Sequence, residues 1–291
     1  MEAITKYFKL VKFSHTIFAL PFAVVGFFLG IENLKSEGST DHNHFYTFLL
    51  MLGCMVTARS SAMAFNRYAD RKFDAKNART KNREIPSGLI NEKSALLFVI
   101  VNSILFVVCT YFINSLCFYL SPVALLVILS YSFMKRFTSL CHIVLGLGLS
   151  LAPIGSFLSV TGKFQLIPIL LSLSVLFWVS GFDIIYALQD ESFDRENNLH
   201  SIPVLLGRKS SMKLSSFFHL TSSSLIFFTG YLGSFNWLYW IGASLFFFFL
   251  IYQHSLVKEN DLSKVNLAFF TMNGIASIVF GLITIISLFL I

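Results

Sequence analysis

Long apolar stretches separated by short polar segments run along the whole chain. Nine of these stretches are long enough, or nearly so, to cross a hydrocarbon core of about 30 Å as helices that rise about 1.5 Å per residue. The predicted helices occupy residues 15–31, 46–65, 94–113, 117–134, 140–160, 166–188, 212–232, 235–254 and 266–290. The pattern therefore predicts an all-α membrane protein, with nine transmembrane helices around a central cavity, that forms a single domain over residues 1–291.

The composition supports this prediction. The chain is 55% hydrophobic and 13% charged, and its mean hydropathy is +0.72. Soluble domains carry about 25% charged residues. Helices packed in a lipid bilayer account for the difference better than one oversized soluble core does.

The basic residues fall on one side of the predicted helices. All but three of the 22 Lys and Arg residues lie in the N-terminal segment or in alternate loops, and the exceptions are Lys35, Lys163 and Arg59. Cytoplasmic loops carry such an excess, so the N-terminus is predicted in the cytoplasm and the protein in the inner (cytoplasmic) membrane. The net charge of +7 is thereby explained without nucleic-acid binding, which we exclude.

Two polar segments that follow predicted helices resemble one another. Each contains an Asp-x-x-x-Asp pair and then an Ile-Pro pair, and the Asp pairs are 120 residues apart. The members are Asp70, Asp74, Ile85 and Pro86 in the first segment, and Asp190, Asp194, Ile202 and Pro203 in the second. This echo is consistent with two related halves that meet at a shared site.

The aspartates have the spacing of a metal site. Asn66, Asp70 and Asp74 are four residues apart, so on a helix their side chains point in one direction. Asp190 and Asp194 repeat that spacing. Carboxylates are hard ligands suited to Mg²⁺ that also binds phosphate oxygens. The alternative is a set of solvated acids at helix ends, paired with neighbouring arginines.

Two charged residues lie inside predicted membrane spans, where charge is costly and usually marks function. Asp183 precedes Asp190 by seven residues and shares its face, and Arg59 precedes Asn66 by seven and should face the same cavity. Arg59 could pair with Asp183, or it could bind an acidic group of a substrate. Both alternatives stay open at the level of sequence.

Basic residues near these motifs suit a diphosphate. Arg83 lies in a basic segment after the first motif, and Lys135 and Arg136 end the fourth predicted helix. Arg makes bidentate phosphate contacts and Lys neutralises as a point charge. We interpret these three residues as substrate-binding groups and not only as membrane anchors.

The motifs resemble those of the UbiA superfamily of intramembrane prenyltransferases. The family motif NxxxDxxxD is matched over residues 66–74, and DxxYAxxDxxxD is matched from Asp183 through Tyr186 to Asp194. The segment from Tyr131 to Arg136 is similar to the family's helix-four signature. Residues 15–22 and 266–274 resemble the 4-hydroxybenzoate polyprenyltransferase-like branch, most of all members that act on 1,4-dihydroxy-6-naphthoate in a route to menaquinone.

The resemblance implies a mechanism. Mg²⁺ bound by Asp70, Asp74, Asp190 and Asp194 would hold the diphosphate of a polyprenyl donor. Further expected roles are donor positioning by Asn66, charge neutralisation by Arg83, Lys135 and Arg136, substrate binding by Tyr131, acceptor orientation by Asp183 and Tyr186, and binding of the acceptor's carboxylate by Arg59. The expected partners are thus a polyprenyl diphosphate, a small aromatic acid and the lipid bilayer. His15, Asn266 and Asn273 receive no role.

A secondary transporter is the alternative in another functional class. Its intramembrane Asp and Arg residues would carry ions, but transporters place such sites near the membrane midplane. Here the charges cluster at predicted helix ends. Among prenyltransferases, haem, homogentisate and glycerol-phosphate acceptors also stay open, as does the length of the donor.

Overall fold

A computed structural model describes residues 6–7, 10–11, 16–38 and 43–290. His15 and most of the basic N-terminal segment lie outside the described residues. Ten α-helices are used here as landmarks. In chain order they are α1 (Thr16–Ser36), α2 (His44–Lys76), α3 (Glu92–Ile113), α4 (Ser115–Met134), α5 (Cys141–Thr161), α6 (Leu166–Ala187), α7 (Glu191–Glu196), α8 (Ile202–Leu232), α9 (Trp237–Leu256) and α10 (Asn273–Leu288).

The all-helical prediction is confirmed, and each predicted apolar segment coincides with a long helix of the described chain. Among the described residues, seven helical segments are long and apolar enough to cross a membrane, and neither α8 nor α9 is one of them. Serines along α8, together with Arg208, Lys209 and Lys213, reduce its hydropathy, and α9 ends in Gln253 and His254. Nine transmembrane helices and a cytoplasmic N-terminus therefore stay predictions.

Helix α2 continues well beyond its predicted end at residue 65. Its 33 residues span about 50 Å, more than the roughly 30 Å of a hydrocarbon core. Hydropathy falls after Phe65, but the residues that follow are compatible with a helix, which ends where the Asn77 N–H bonds to Phe73 O. Asn66, Asp70 and Asp74 therefore lie on one rigid polar extension.

The second motif is built differently. Helix α6 is followed by a 3₁₀ turn, Leu188–Asp190, and then by the short helix α7. Asp183 lies on α6, Asp190 ends the 3₁₀ turn, and Asp194 lies on α7. The Ser201 hydroxyl then accepts the Val204 N–H and starts α8.

Helices α5 and α6 approach each other closely beside this motif. A Cβ added to Gly146 on α5 would lie 2.4 Å from Leu176 O on α6. Small residues permit such contact between membrane helices. The contact keeps the first turn of α5 close to Asp183.

Helix α10 is preceded by a π-helical segment, Leu267–Met272. Asn273 accepts the Trp178 Nε1–H at 2.9 Å and donates to Phe269 O at 2.9 Å. Asn273 is thus a packing residue, which satisfies backbone carbonyls in a buried core of aromatic rings.

Candidate active site

One cavity of about 1030 Å³ lies between the helices. Both Asp motifs contribute to its wall, as do residues at the two ends of α4, Cys117 and Lys135. A helix of this length spans about 27 Å between those positions, so the cavity runs through most of the depth of a bilayer. Charged side chains collect at the Lys135 end, and apolar ones line the end near Ile113 and Phe164.

The four aspartates of the two motifs all reach this cavity, and each is paired with a cation. The pairs are Asp70–Arg136 at 3.4 Å, Asp74–Arg83 at 2.7 Å, Asp190–Arg79 (Oδ1 to Nε) at 3.0 Å and Asp194–Lys135 at 2.9 Å. The aspartates are therefore not simply solvated acids at helix ends. They form one charged cluster whose partners come from other segments of the chain.

The donor set fits a Mg²⁺ ion that shares its coordination with a phosphate ligand. Asp74 Oδ2 is buried and has no hydrogen-bond partner among the residues that the structure describes, so an acceptor oxygen is available inside the cluster. In the part of the chain that the structure describes, no three His, Cys, Asp or Glu side chains already form a metal-holding group. Mg²⁺ needs few protein carboxylates, because waters and phosphate oxygens usually complete its shell.

Lys135 and Arg79 lie outside the membrane-spanning helices and stay charged. Burial alone lowers the pKa of Lys135, but the Asp194 carboxylate outweighs it and raises that pKa to about 12. Burial likewise opposes the charge of Arg79, and its hydrogen bonds to Asp190 more than offset this and raise its pKa. Both groups therefore carry positive charge at neutral pH.

Asn66 and Arg136 both contact Asp70. The Asn66 amide donates to Asp70 Oδ2 at 3.1 Å and so orients that carboxylate. Arg136 donates to Ala69 O at 2.7 Å, and its guanidinium lies over the rings of Phe73 and Phe133. Arg136 is not among the residues that line the cavity.

Asp183 has a partner that the sequence did not indicate. Its Oδ2 lies 2.7 Å from Nδ1 of His142, a buried residue on the first turn of α5. Arg59 lines the same cavity, but the side chain that contacts the Asp183 carboxylate is His142. The imidazole and the carboxylate both face the cavity, beyond the four paired aspartates.

Aromatic side chains line the wall beside Asp183. The Tyr186 hydroxyl accepts a hydrogen bond from Arg79 at 2.9 Å, and its ring packs on Phe269 with centroids 4.2 Å apart. Tyr131 on α4 and Asn266, which precedes the π segment, also line the cavity. This wall joins the charged end to the apolar end.

The residue pattern, helical fold and shared cavity match a known family. The model of the UbiA prenyltransferase family matches residues 17–275, which is most of the chain. The chain belongs to this family. The predictions of the UbiA family and of a prenyltransferase are thereby confirmed, and the transporter alternative loses its support.

Relatives in sequence and in structure agree with the assignment. The 4-hydroxybenzoate octaprenyltransferase of Tolumonas auensis is 30% identical over 237 residues, which are 81% of this chain and 82% of the relative. The apo structure of a UbiA homologue from Aeropyrum pernix superposes with a TM-score of 0.78 at 26% identity, covering 95% of this chain and 97% of the other. A homologue from Archaeoglobus fulgidus bound to DMAPP and Mg²⁺ has a TM-score of 0.76 at 22% identity, with 98% and 100% covered.

Two residues that line the cavity of this UbiA-family protein receive no assigned site role from the sequence. Arg79 was visible in the basic segment after the first motif, but nothing in its spacing marked it as the partner of Asp190. His142 stands alone in an apolar helix, so no motif points to it. The sequence signal for His142 is a titratable side chain near the end of a predicted membrane helix.

Proposed function

We propose that this protein transfers a polyprenyl group from an allylic polyprenyl diphosphate to a small aromatic acid, in the biosynthesis of ubiquinone or menaquinone. The acceptor would be 4-hydroxybenzoate or 1,4-dihydroxy-6-naphthoate. One observation carries the proposal: four aspartates, each paired with a cation, surround the charged end of a long apolar cavity. The curated relative from Tolumonas auensis acts on 4-hydroxybenzoate by name, which supports an aromatic acceptor.

The charged end would hold the diphosphate. Mg²⁺ bound by the four aspartates would supply positive charge to the leaving diphosphate, and the structure of the Archaeoglobus homologue bound to DMAPP and Mg²⁺ supports this role. Arg79, Arg83 and Lys135 line the cavity and would turn from their aspartates to the phosphate oxygens. The cations and carboxylates thus neutralise each other until the charged substrate replaces both sets of partners.

The apolar end would hold the polyprenyl tail. The cavity wall there includes Ile113, Val123, Leu158 and Phe164, and the described residues that line this end carry no charged side chain beyond Arg59. A tail that enters this space leaves water and lies along about 27 Å of helix. The length of the cavity therefore favours a long-chain donor.

The middle of the cavity would hold the acceptor. Asp183 and Tyr186 lie between the charged and apolar ends, and Arg59 lines the same space. We assign the acceptor's carboxylate to Arg59 and its hydroxyl to Asp183. Aromatic faces at Tyr186 and Phe269 would stabilise the allylic cation, because ring quadrupoles attract positive charge.

The reaction then needs no redox partner. The allylic C–O bond breaks and its electron pair leaves on the diphosphate, whose charge Lys135, Arg79 and Arg83 offset. A ring carbon of the acceptor bonds to the allylic carbon while Asp183 accepts the proton of the acceptor's hydroxyl. The proton lost from the ring carbon restores that hydroxyl, and the proton on Asp183 passes to water after the product leaves.

The deciding experiment offers the purified protein both acceptors with geranyl diphosphate or a longer donor, with Mg²⁺ and with EDTA. We expect a prenylated product from one acceptor, formed only with Mg²⁺. Absence of product from both acceptors, in a preparation that still binds the donor, would contradict the proposed branch.

A variant tests the proposed acceptor site. Arg59→Ala should raise the KM for the acceptor by about tenfold, the value of one charge-assisted hydrogen bond, and leave the KM for the donor unchanged. For an acceptor that lacks the carboxylate, the KM should be the same in the variant and in the parent. An unchanged acceptor KM would remove Arg59 from this role.

A further inference from the structure

We propose that His142 is a positioning residue that orients the Asp183 carboxylate toward the acceptor. The inference rests on the proposed prenyl transfer and deepens it. It starts from one contact: His142 Nδ1 lies 2.7 Å from Asp183 Oδ2, inside the cavity that both residues line.

The other ring nitrogen of His142 fixes the tautomer. The backbone N–H of Ile202 points at His142 Nε2 over 3.3 Å, and a backbone N–H can only donate. His142 Nε2 must therefore present a lone pair, since a proton on Nε2 would point at the Ile202 N–H and leave two donors facing each other. The neutral ring carries its proton on Nδ1, and this N–H donates a hydrogen bond to Asp183 Oδ2.

The ring is held firmly in this orientation. His142 is fully buried at the start of α5, and Ile202 is the first residue of α8. The loop before Ile202 is tied to the same region, because the His200 N–H donates to Lys135 O at 2.6 Å. The imidazole thus links the start of α5 to the start of α8 and cannot follow Asp183 if that side chain moves.

The contact leaves one oxygen of Asp183 for a ligand. Oδ2 is occupied by His142, whereas Oδ1 has no hydrogen bond within the described ranges, and the side chain is 14% exposed. The four motif aspartates are paired with Arg or Lys, which neutralise them. The ring that contacts Asp183 is instead neutral in this tautomer, so no cation occupies that contact and a hydroxyl proton can approach the other oxygen at a fixed place.

Two substitutions separate orientation of Asp183 from anchoring of α8. In His142→Asn the amide nitrogen occupies the place of Nδ1 and can still donate to Asp183, but the acceptor for the Ile202 N–H is lost. In His142→Gln the amide oxygen occupies the place of Nε2 and can still accept from Ile202, but the donor to Asp183 is lost. A positioning role predicts that Asn rescues and Gln does not.

The measured quantities are kcat, the two KM values and donor binding. We expect His142→Gln to lower kcat by about tenfold to a hundredfold, the range for losing a partner that orients a reactive ligand. His142→Asn should keep kcat at least tenfold above that of His142→Gln. Binding of a non-ionising thiolo analogue of geranyl diphosphate with Mg²⁺ should be equal in both, which shows that each variant is folded.

A double substitution supplies the stricter control. If His142 acts through Asp183, then His142→Gln should add nothing to the loss caused by Asp183→Asn. Equal kcat in the parent and both single variants, or rescue by Gln instead of Asn, would overturn the positioning role and leave the proposed function intact. A parent protein that prenylates neither acceptor would instead contradict the proposed function.

Discussion

The two Asp motifs look alike in sequence but occupy different structures. Asp70 and Asp74 lie on the straight extension of α2, whereas Asp190 and Asp194 lie on a 3₁₀ turn and a short helix. The Asp70 side chain is 30% exposed and that of Asp194 only 3%. Asp74 is 8% and Asp190 12% exposed, so Asp70 is the accessible member of the first pair, whereas both aspartates of the second pair are buried and depend on their partners.

Those partners all come from one half of the chain. The four cations paired with the motif aspartates lie between residues 79 and 136, while Arg195 and Arg208 of the second half pair with Glu191 instead. Arg79 and Lys135 thus bridge from the first half to the second motif. A repeated pattern of carboxylates has become an asymmetric site in which one half supplies the positive charge.

The largest expected effect comes from the buried motif. Asp194→Asn should lower kcat/KM by about a hundredfold to a thousandfold, because a carboxylate that would hold Mg²⁺ at the leaving group is lost in a site that excludes water. The matched change Asp70→Asn should lower kcat/KM by a smaller factor, since that carboxylate is more exposed and Asn66 remains beside it. Mg²⁺ titration of the initial rate measures both, and equal losses would remove the proposed difference between the motifs.

The second largest effect should come from removing the ion pair between Lys135 and Asp194. Lys135→Ala should lower kcat/KM by about a hundredfold and lower the free energy of unfolding by a few kcal/mol, because Asp194 stays buried without its cation. Arg195→Ala is the control, since its exposed pair with Glu191 should contribute less than about 1 kcal/mol. Thermal unfolding in detergent and product formation are the readouts. Similar losses of stability and activity in the two variants would contradict a special role for the Lys135–Asp194 pair.

Loss of the second bridge should weaken donor binding. Arg79→Ala should raise the KM for the donor by about tenfold, the value of a charge-assisted hydrogen bond, with little change in the acceptor KM. Arg79→Lys keeps the positive charge but loses the paired guanidinium hydrogen bonds to Asp190 and Tyr186, so it should recover only part of the donor affinity. A rise in the acceptor KM alone would place Arg79 at another part of the site.

The smallest effect should come from Arg136, which the sequence predicted as a substrate-binding residue. Its guanidinium packs against Phe73 and Phe133 behind Asp70, so Arg136→Ala should lower kcat/KM by no more than about threefold. Comparison with Lys135→Ala, its neighbour in sequence, tests this directly. An equally large loss in both variants would restore Arg136 to the substrate site.

The sequence predicted the positions of the long helices and the shared face of Asp70 and Asp74, because both depend on local patterns. Apolar runs placed the helices, and the four-residue spacing placed Asp70 and Asp74 on one face of α2. Helix α2 ends at Lys76, eleven residues after its predicted end, because hydropathy shows where an apolar run stops and not where a helix stops. Asn266 and Asn273 have the same phase in sequence, yet one lines the cavity and the other packs against Trp178.

What the sequence determined by itself is the membrane class, the UbiA-like motifs and the type of chemistry that their carboxylates allow. These follow from residue types and spacings within single helices. Which cation meets which aspartate, and the contact of His142 with Asp183 and Ile202, were decided only by tertiary structure. Apart from Asp74 and Arg83, which are 9 residues apart, these partners lie 41 to 111 residues apart, and only the packing of the helices brings their side chains within hydrogen-bond distance.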